Sequence, residues 1–333
     1  MPAPAPLLLS FLAAVTAVAN PPSFLAILVD DYGYGDLGAN GYNAETPNLD
    51  ALAANGIRFL DFHSNSVCTP SRAALQTGRY NIRAGIHGNF DVDSKGGLAL
   101  GEITVADILK RANYSTFMLG KHHLGHQPGY HPTWRGYDSY HGVPYSVDMG
   151  CTNTAMNEQG GLKPPGCPTS GPGNSPAIPL YNATAPRCTG VSCNAEIVQQ
   201  PVDLTHLDDF YADSAAQFFA KHGPGGALSG TPFFAYVPFS HVHVPLSHNP
   251  KFTNASVRRT LFADTLLEMD DTVGRIVASL KQNGLLDNTL IIVVGDNGVW
   301  NAYVSYIFAN ASQASTQSPK ILISTQPPMG PLT

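Results

Sequence analysis

The sequence predicts an α/β fold, with a central, largely parallel mixed sheet flanked by helices. Two observations carry this expectation. Short continuous apolar runs alternate with segments of helical period, which is the pattern of strands covered on both faces. Four of these runs, Phe24 to Val29, Tyr114 to Leu119, Phe233 to Val237 and Thr289 to Val294, also end in a polar cluster. The bulk properties agree. A chain of 333 residues can bury roughly 75% of the surface it exposes when unfolded. A composition 43% hydrophobic and 13% charged, with 32 Gly and 27 Pro, suits a loop-rich enzyme better than a helical bundle.

Taken in order, Phe24 to Val29 runs into Asp30-Asp31 and the Gly-rich turn Tyr32 to Gly35. Pro47 to Asn55 reads as a helix, with Leu49 and Leu52 on one face and Gly56 closing it. Phe59 to Phe62 is expected as another strand leading towards Cys68. From Cys68 to Gly78 the chain reads as a helix, with Pro70 in the first turn and Gly78 as the stop. Residue 68 then sits at the positive end of a helix, where backbone N–H groups favour an anion. Arg72 follows one turn along the same face. On local grounds alone, a small buried thiol is the competing reading of Cys68.

Thr104 is placed to cap a helix running to Ala112. The run Tyr114 to Leu119 ends in Gly120-Lys121-His122-His123, and Phe233 to Val237 ends near His241 and His243. From about residue 127 to 200 the chain reads as irregular. Phe262, Leu266, Met269, Val273, Ile276 and Leu280 mark a long amphipathic helix stopped by Gly284. The last strand, Thr289 to Val294, ends at Gly295-Asp296-Asn297.

Ligands of open α/β sheets gather beyond the carboxyl ends of the strands. If the four runs lie parallel and adjacent, Asp30, Asp31, Lys121, His123, His243, Asp296 and Asn297 converge on one pocket. Asp30, Asp31, Asp296 and Asn297 offer only oxygen ligands, which points to a hard cation, Ca2+ or Mg2+. Each pair taken alone is equally a solvated turn. The histidines at 122, 123, 126 and 131 lack the H-E-x-x-H spacing of a zinc helix.

Other features point to export. Leu7 to Val18 is apolar and Ala17-Val18-Ala19 offers a cleavage site, so residues 1–19 read as a signal peptide, with a disordered terminus as the alternative. That run is too short to span a bilayer and no later one resembles a membrane span. Cys151, Cys167, Cys188 and Cys193 lie in a stretch rich in Gly, Pro, Ser and Thr. Two disulfides would tie it down in an oxidising compartment, with three connectivities open. A zinc site is the rival reading, but no C-x2-C pair is present. Cys68 is left over. Sequons at Asn113, Asn182, Asn254 and Asn310 could carry glycans. With a formal net charge of −6 and no basic cluster, nucleic acid is excluded as an expected partner.

Several of these segments resemble the sulfatase family of the alkaline-phosphatase-like superfamily. Cys68-Thr69-Pro70-Ser71-Arg72 followed by Ala73-Ala74-Leu75-Gln76-Thr77-Gly78 is similar to its C-x-P-x-R signature. Asp30-Asp31-Tyr32-Gly33-Tyr34-Gly35-Asp36 resembles its first metal-binding segment. Thr46-Pro47-Asn48-Leu49-Asp50, Gly120-Lys121-His122-His123 and Gly295-Asp296-Asn297-Gly298 match further blocks in order. Pro144-Tyr145-Ser146 looks closest to the arylsulfatase A branch, and the likeness runs from about Phe24 to Gly298.

The resemblance implies hydrolysis of sulfate esters of the arylsulfatase type. Cys68 would be oxidised to formylglycine by a formylglycine-generating enzyme during export. One hydroxyl of the hydrated aldehyde attacks sulfur and the alcohol leaves. The second hydroxyl then reforms the aldehyde and expels sulfate. By the same resemblance Asp30, Asp31, Asp296 and Asn297, with residue 68, hold calcium or magnesium. Arg72 and Lys121 orient the diol and sulfate, and Ser146 touches one of them. His123 takes a proton from the diol and His243 gives one to the leaving oxygen, with His241 the nearby alternative. The substrate would be a sulfated small molecule, lipid or carbohydrate, and the compartment extracellular or lysosome-like.

Two departures accompany the likeness. His122 stands where the family usually has an aromatic residue. Beyond Trp300 the resemblance stops, so residues 20–300 read as the catalytic domain, with a cysteine-rich insertion at about 145–200 and a divergent tail at 301–333. The family's small C-terminal domain and a second lysine block read as missing. The alternative function is therefore a catalytically impaired glycoprotein that binds sulfated ligands, and a related phosphodiesterase or phosphonate hydrolase is a third reading.

Overall fold

The computed structural model describes residues 20–41, 43–153, 176–184 and 195–299. The expected signal peptide, the tail at 301–333, Cys167, Cys188, Cys193 and Asn310 lie outside these residues.

Seven strands form one sheet: β1 Ser23–Val29, β2 Ser115–Leu119, β3 Ser139–Gly142, β4 Leu180–Thr184, β5 Ala195–Gln199, β6 Phe233–Pro238 and β7 Thr289–Gly295. Their order is β5-β4-β3-β2-β6-β1-β7. The body β3-β2-β6-β1-β7 is parallel, whereas β4 runs antiparallel to both β3 and β5. This is the mixed, largely parallel sheet that the sequence predicts, with the four apolar runs as contiguous neighbours and β7 at one end of the order.

Among the described residues five α-helices flank the sheet: α1 Pro47–Ala54, α2 Cys68–Thr77, α3 Val105–Arg111, α4 Leu207–His222 and α5 Leu261–Gln282. Alternation along β2 assigns their sides, because successive strand residues point to opposite faces. Met118 packs in a cluster with Ala106 of α3, Tyr137, Tyr140 and Tyr236. Phe117, one residue earlier, stacks on Phe218 of α4 at 4.7 Å between ring centres. So α3 covers one face and α4 the other. The stripe Leu266, Met269, Val273, Ile276 and Leu280 of α5 is buried, as its helical spacing requires. Asp270, on that helix, accepts from Asn48 N and Leu49 N and so caps the first turn of α1.

Two expectations need correction. Phe59 to Phe62 forms no strand, and Phe59 is 77% exposed. A strand is held by a ladder and a buried face, and this segment has neither, with Leu60 71% and Phe62 59% exposed. The stretch at 127–200 is not wholly irregular, because β3, β4 and β5 lie in it. Ser139–Gly142 and Leu180–Thr184 carry too few apolar residues to announce themselves. Helix α4 also went unread, since Asp208, Asp209 and several alanines dilute its apolar face.

The parallel ladder continues past the strand ends and levels them. Asp296 N donates to Val29 O (3.1 Å), Asp30 N to His241 O (3.1 Å) and Lys121 N to Pro238 O (2.7 Å). Gly120 makes this possible. Its φ is +134°, and a Cβ there would overlap the Pro238 carbonyl.

Candidate active site

Beyond the carboxyl ends of β2, β6, β1 and β7, charged side chains close on the mouth of α2. Cys68 opens that helix and is buried, with Sγ 3.5 Å from Asp30 Oδ1 and 3.5 Å from Lys121 Nζ. Arg72, one turn on, is fully buried. Its Nη2 donates to Asp296 Oδ2 at 3.0 Å and lies 3.3 Å from Asp30 Oδ1, while Nη1 donates to Lys121 O at 2.6 Å. Lys121 Nζ pairs with Asp30 Oδ2 and lies 3.2 Å from Ser146 Oγ. Ser146 in turn contacts His243 Nε2 at 3.2 Å, and that nitrogen is 3.6 Å from Asp31 Oδ2. Breaking one partner from such buried pairs costs about 3–5 kcal/mol, because it strands the other charge.

The oxygen cluster tests well as a cation site. The carboxylates of Asp30, Asp31 and Asp296 lie within 4.8 Å of one another and are all buried; Asp30, Cys68 and His243 form an overlapping group. Asn297 Nδ2 donates to Asp31 Oδ1 at 2.8 Å, which leaves Asn297 Oδ1 buried without a hydrogen-bond partner. A buried carbonyl oxygen beside three carboxylates is what a hard cation asks for. Asp31 holds its place with φ at +53°, an uncommon backbone state for a residue other than glycine.

Electrostatics follow the same geometry. Burial alone would raise Asp30, but Lys121 and then Arg72 hold it well below the usual carboxylate range. Asp296, buried and beside the Asp30 charge, is pushed up to about 7, and burial also raises Asp31. Burial pushes the Cys68 thiol well above its ordinary value, against the opposing influence of Lys121. His123 is driven well below the ordinary histidine range by burial and then by Lys121. Its Nε2 meets Phe90 O at 3.1 Å and its Nδ1 is buried without a partner. Its φ of +57° is the second left-handed value among the site residues.

Every site residue expected from sequence is thus found at this one end of the sheet. The two histidines after β6 part company. His243 faces Ser146 and Asp31, whereas His241 turns away, with Nδ1 3.0 Å from Asp208 Oδ1. Sequence reasoning missed Thr69, whose Oγ1 donates to His123 O at 2.9 Å and whose N–H donates to Asn89 Oδ1 at 3.0 Å. These bonds lock the α2 mouth to the His123 turn. Thr69 was read only as part of a motif, and nothing in the sequence links Asn89 to it. His122 is buried beside the site, with Nδ1 3.0 Å from Gly125 O.

Comparison with known proteins gives the same answer. A family model described as sulfatase matches residues 22–326. Human arylsulfatase G is 43% identical over 293 residues, covering 84% of this chain and 52% of that protein. Human arylsulfatase A is 40% identical over 304 residues, covering 90% and 56%. The chain spans about half the length of the curated relatives it matches. Among solved structures, Ps i-CgsB in complex with k-i-k-neocarrahexaose superposes with a TM-score of 0.66 at 28% identity, covering 85% of this chain and 60% of that one. With a matching family model over most of its length and relatives this similar, the chain belongs to the sulfatase family.

Proposed function

We propose that this chain hydrolyses sulfate esters through a formylglycine made from Cys68. The observation that carries the reading is the setting of Cys68 Sγ. It is held at a helix mouth, 3.5 Å from both a buried lysine and a buried aspartate of an oxygen cluster. A thiolate nucleophile needs a lowered pKa, and this thiol is raised by burial. The pocket therefore suits a hydrated aldehyde better than a thiol.

In that reading Asp30, Asp31, Asp296 and Asn297 hold a calcium or magnesium ion. Bound there, such an ion neutralises sulfate charge and lowers the proton affinity of the attacking hydroxyl. The chain's own groups do the rest. Lys121 Nζ, between residue 68 and Ser146, donates to the sulfate oxygens, and Arg72 fixes Asp30 and Asp296 in line. His243 gives its proton to the alcohol oxygen as the S–O bond breaks. His123, kept neutral by its surroundings and with Nδ1 unpartnered, takes the proton of the second hydroxyl as the aldehyde reforms and sulfate departs.

A sulfated carbohydrate is the substrate class favoured by the solved relative bound to an oligosaccharide. Export, modification by a formylglycine-generating enzyme and glycosylation belong to the same proposal. Asn113 and Asn254 are exposed, as glycan attachment requires, and Cys151 is disulfide-bonded. Among the described residues no helix is long and apolar enough to cross a membrane.

The test is release of sulfate from a chromogenic aryl sulfate by protein from an exporting cell. Wild type should turn over, and Cys68→Ser, with an unchanged melting temperature, should lose at least about 10³-fold in rate. Undiminished turnover by Cys68→Ser would refute the nucleophile.

A further inference from the structure

A second buried cluster lies behind the segment that carries His243, and the proposed catalysis makes no use of it. Asp208 comes from the first turn of α4, His241 from the segment after β6 and Glu268 from the middle of α5. They are 1%, 4% and 2% exposed, and one ligand atom from each lies within 4.8 Å of the others.

The hydrogen bonds around the cluster aim particular atoms inward. His241 Nε2 lies 2.8 Å from Ser247 O. A carbonyl only accepts, so Nε2 carries a proton and Nδ1 faces the cluster, where a bound ion would take the place of its proton. Glu268 Oε1 accepts from Asn249 N at 3.0 Å, and Oε2 has no partner. The one close partner of Asp208 is His241 Nδ1, 3.0 Å from Oδ1, and against the opposing effect of burial the Asp208 and Glu268 carboxylates lift that imidazole to about 9. Among the described residues no lysine or arginine pairs with either carboxylate. Buried polar atoms left this way are rare, because each costs on the order of 1–3 kcal/mol. Here Asp208 Oδ2 and Glu268 Oε2 have no hydrogen-bond partner and lie with the His241–Asp208 pair, so three residues far apart in sequence converge on one spot. An imidazole whose outer nitrogen donates to a backbone carbonyl is how metal-bound histidines are held.

We propose that Asp208, His241 and Glu268 form a second metal site, for a first-row divalent ion of the zinc type. One imidazole and two carboxylates suit such an ion better than calcium, which prefers oxygen alone. The site ties α4 and α5 to the segment bearing His243. It also buttresses the first pocket, because His241 O accepts from Asp30 N and Val242 N donates to Asp30 O at 2.9 Å.

The experiment uses the full chain, stripped with a chelator, saturated with Ca2+ to fill the all-oxygen pocket, and then titrated with Zn2+. Bound zinc is counted by elemental analysis and the melting temperature is followed. Wild type should retain about one zinc per chain and melt higher with it. Asp296→Asn and Cys68→Ser, which alter only the first pocket, should retain it too. Glu268→Gln should bind at least about tenfold more weakly. If calcium-saturated wild type keeps no zinc, or Glu268→Gln keeps as much as wild type, the three side chains hold only protons and the proposal fails. Should Glu268→Gln not fold, zinc content and melting shift of the wild type decide alone, and retention of zinc by Cys68→Ser excludes the thiol as its ligand.

Discussion

Two buried polar clusters lie on either side of the chain that follows β6, and they differ in how their charge is balanced. The pocket of Asp30, Asp31, Asp296 and Asn297 has two buried cations of its own, Arg72 and Lys121, and opens onto Ser146 and His243. The cluster of Asp208, His241 and Glu268 has no buried lysine or arginine among the described residues, and its two carboxylates face a single imidazole. In the proposed reading a metal ion among the three carboxylates, with Arg72 and Lys121, would let the first pocket receive a sulfate ester. The second is closed around its own ligands, as structural sites are. Similar burial would thus serve reaction in one place and cohesion in the other under the two proposals.

Replacing each histidine of the pair sharpens this contrast. His243→Gln should cost about 10²–10³-fold in kcat with little change in melting temperature, since its proton acts in the reaction. His241→Gln should do the reverse, lowering the melting temperature by several degrees while kcat falls less than about tenfold. Equal kinetic losses in both variants would erase the division between the clusters.

A histidine outside both clusters gives the smaller, control effect. His131, packed against Tyr140 and Tyr181, is held down at about 4 by burial and then by His126. Its folded value is below its unfolded value of about 6.5. Its contribution is therefore complete above that pH and is lost as the pH falls through about 4. Near pH 5 the loss is ~2 kcal/mol. Denaturant titrations at neutral pH and near pH 5 should show His131→Gln losing less stability on acidification than wild type. An identical pH dependence would show that His131 takes up no proton in this range on unfolding.

These two clusters also mark how far the sequence could be read. The first pocket was legible because its residues come as neighbours, Asp30-Asp31 and Asp296-Asn297, each after an apolar run that reads as a strand, although β7 proves half-exposed where a buried strand was expected. The parallel order of β2, β6, β1 and β7 then brought them together without further information. The second cluster takes one residue from each of three elements, and no local pattern links Asp208 to Glu268. Thr69 and Asn89 escaped for the same reason. The strand expected at Phe59 to Phe62 failed because its apolar residues pair with no strand and stay exposed. His241 and His243 could not be told apart until their side-chain directions were known.

The central claim is that Cys68 serves as an aldehyde and not as a thiol. The direct measurement is mass spectrometry of the tryptic peptide from Phe59 to Arg72, from protein exported by a cell. The account predicts the mass of a peptide in which residue 68 has lost its sulfur and two hydrogens and gained an oxygen, and which forms a hydrazone with a carbonyl reagent. A peptide carrying only the unmodified thiol, from protein that still releases sulfate, would contradict it.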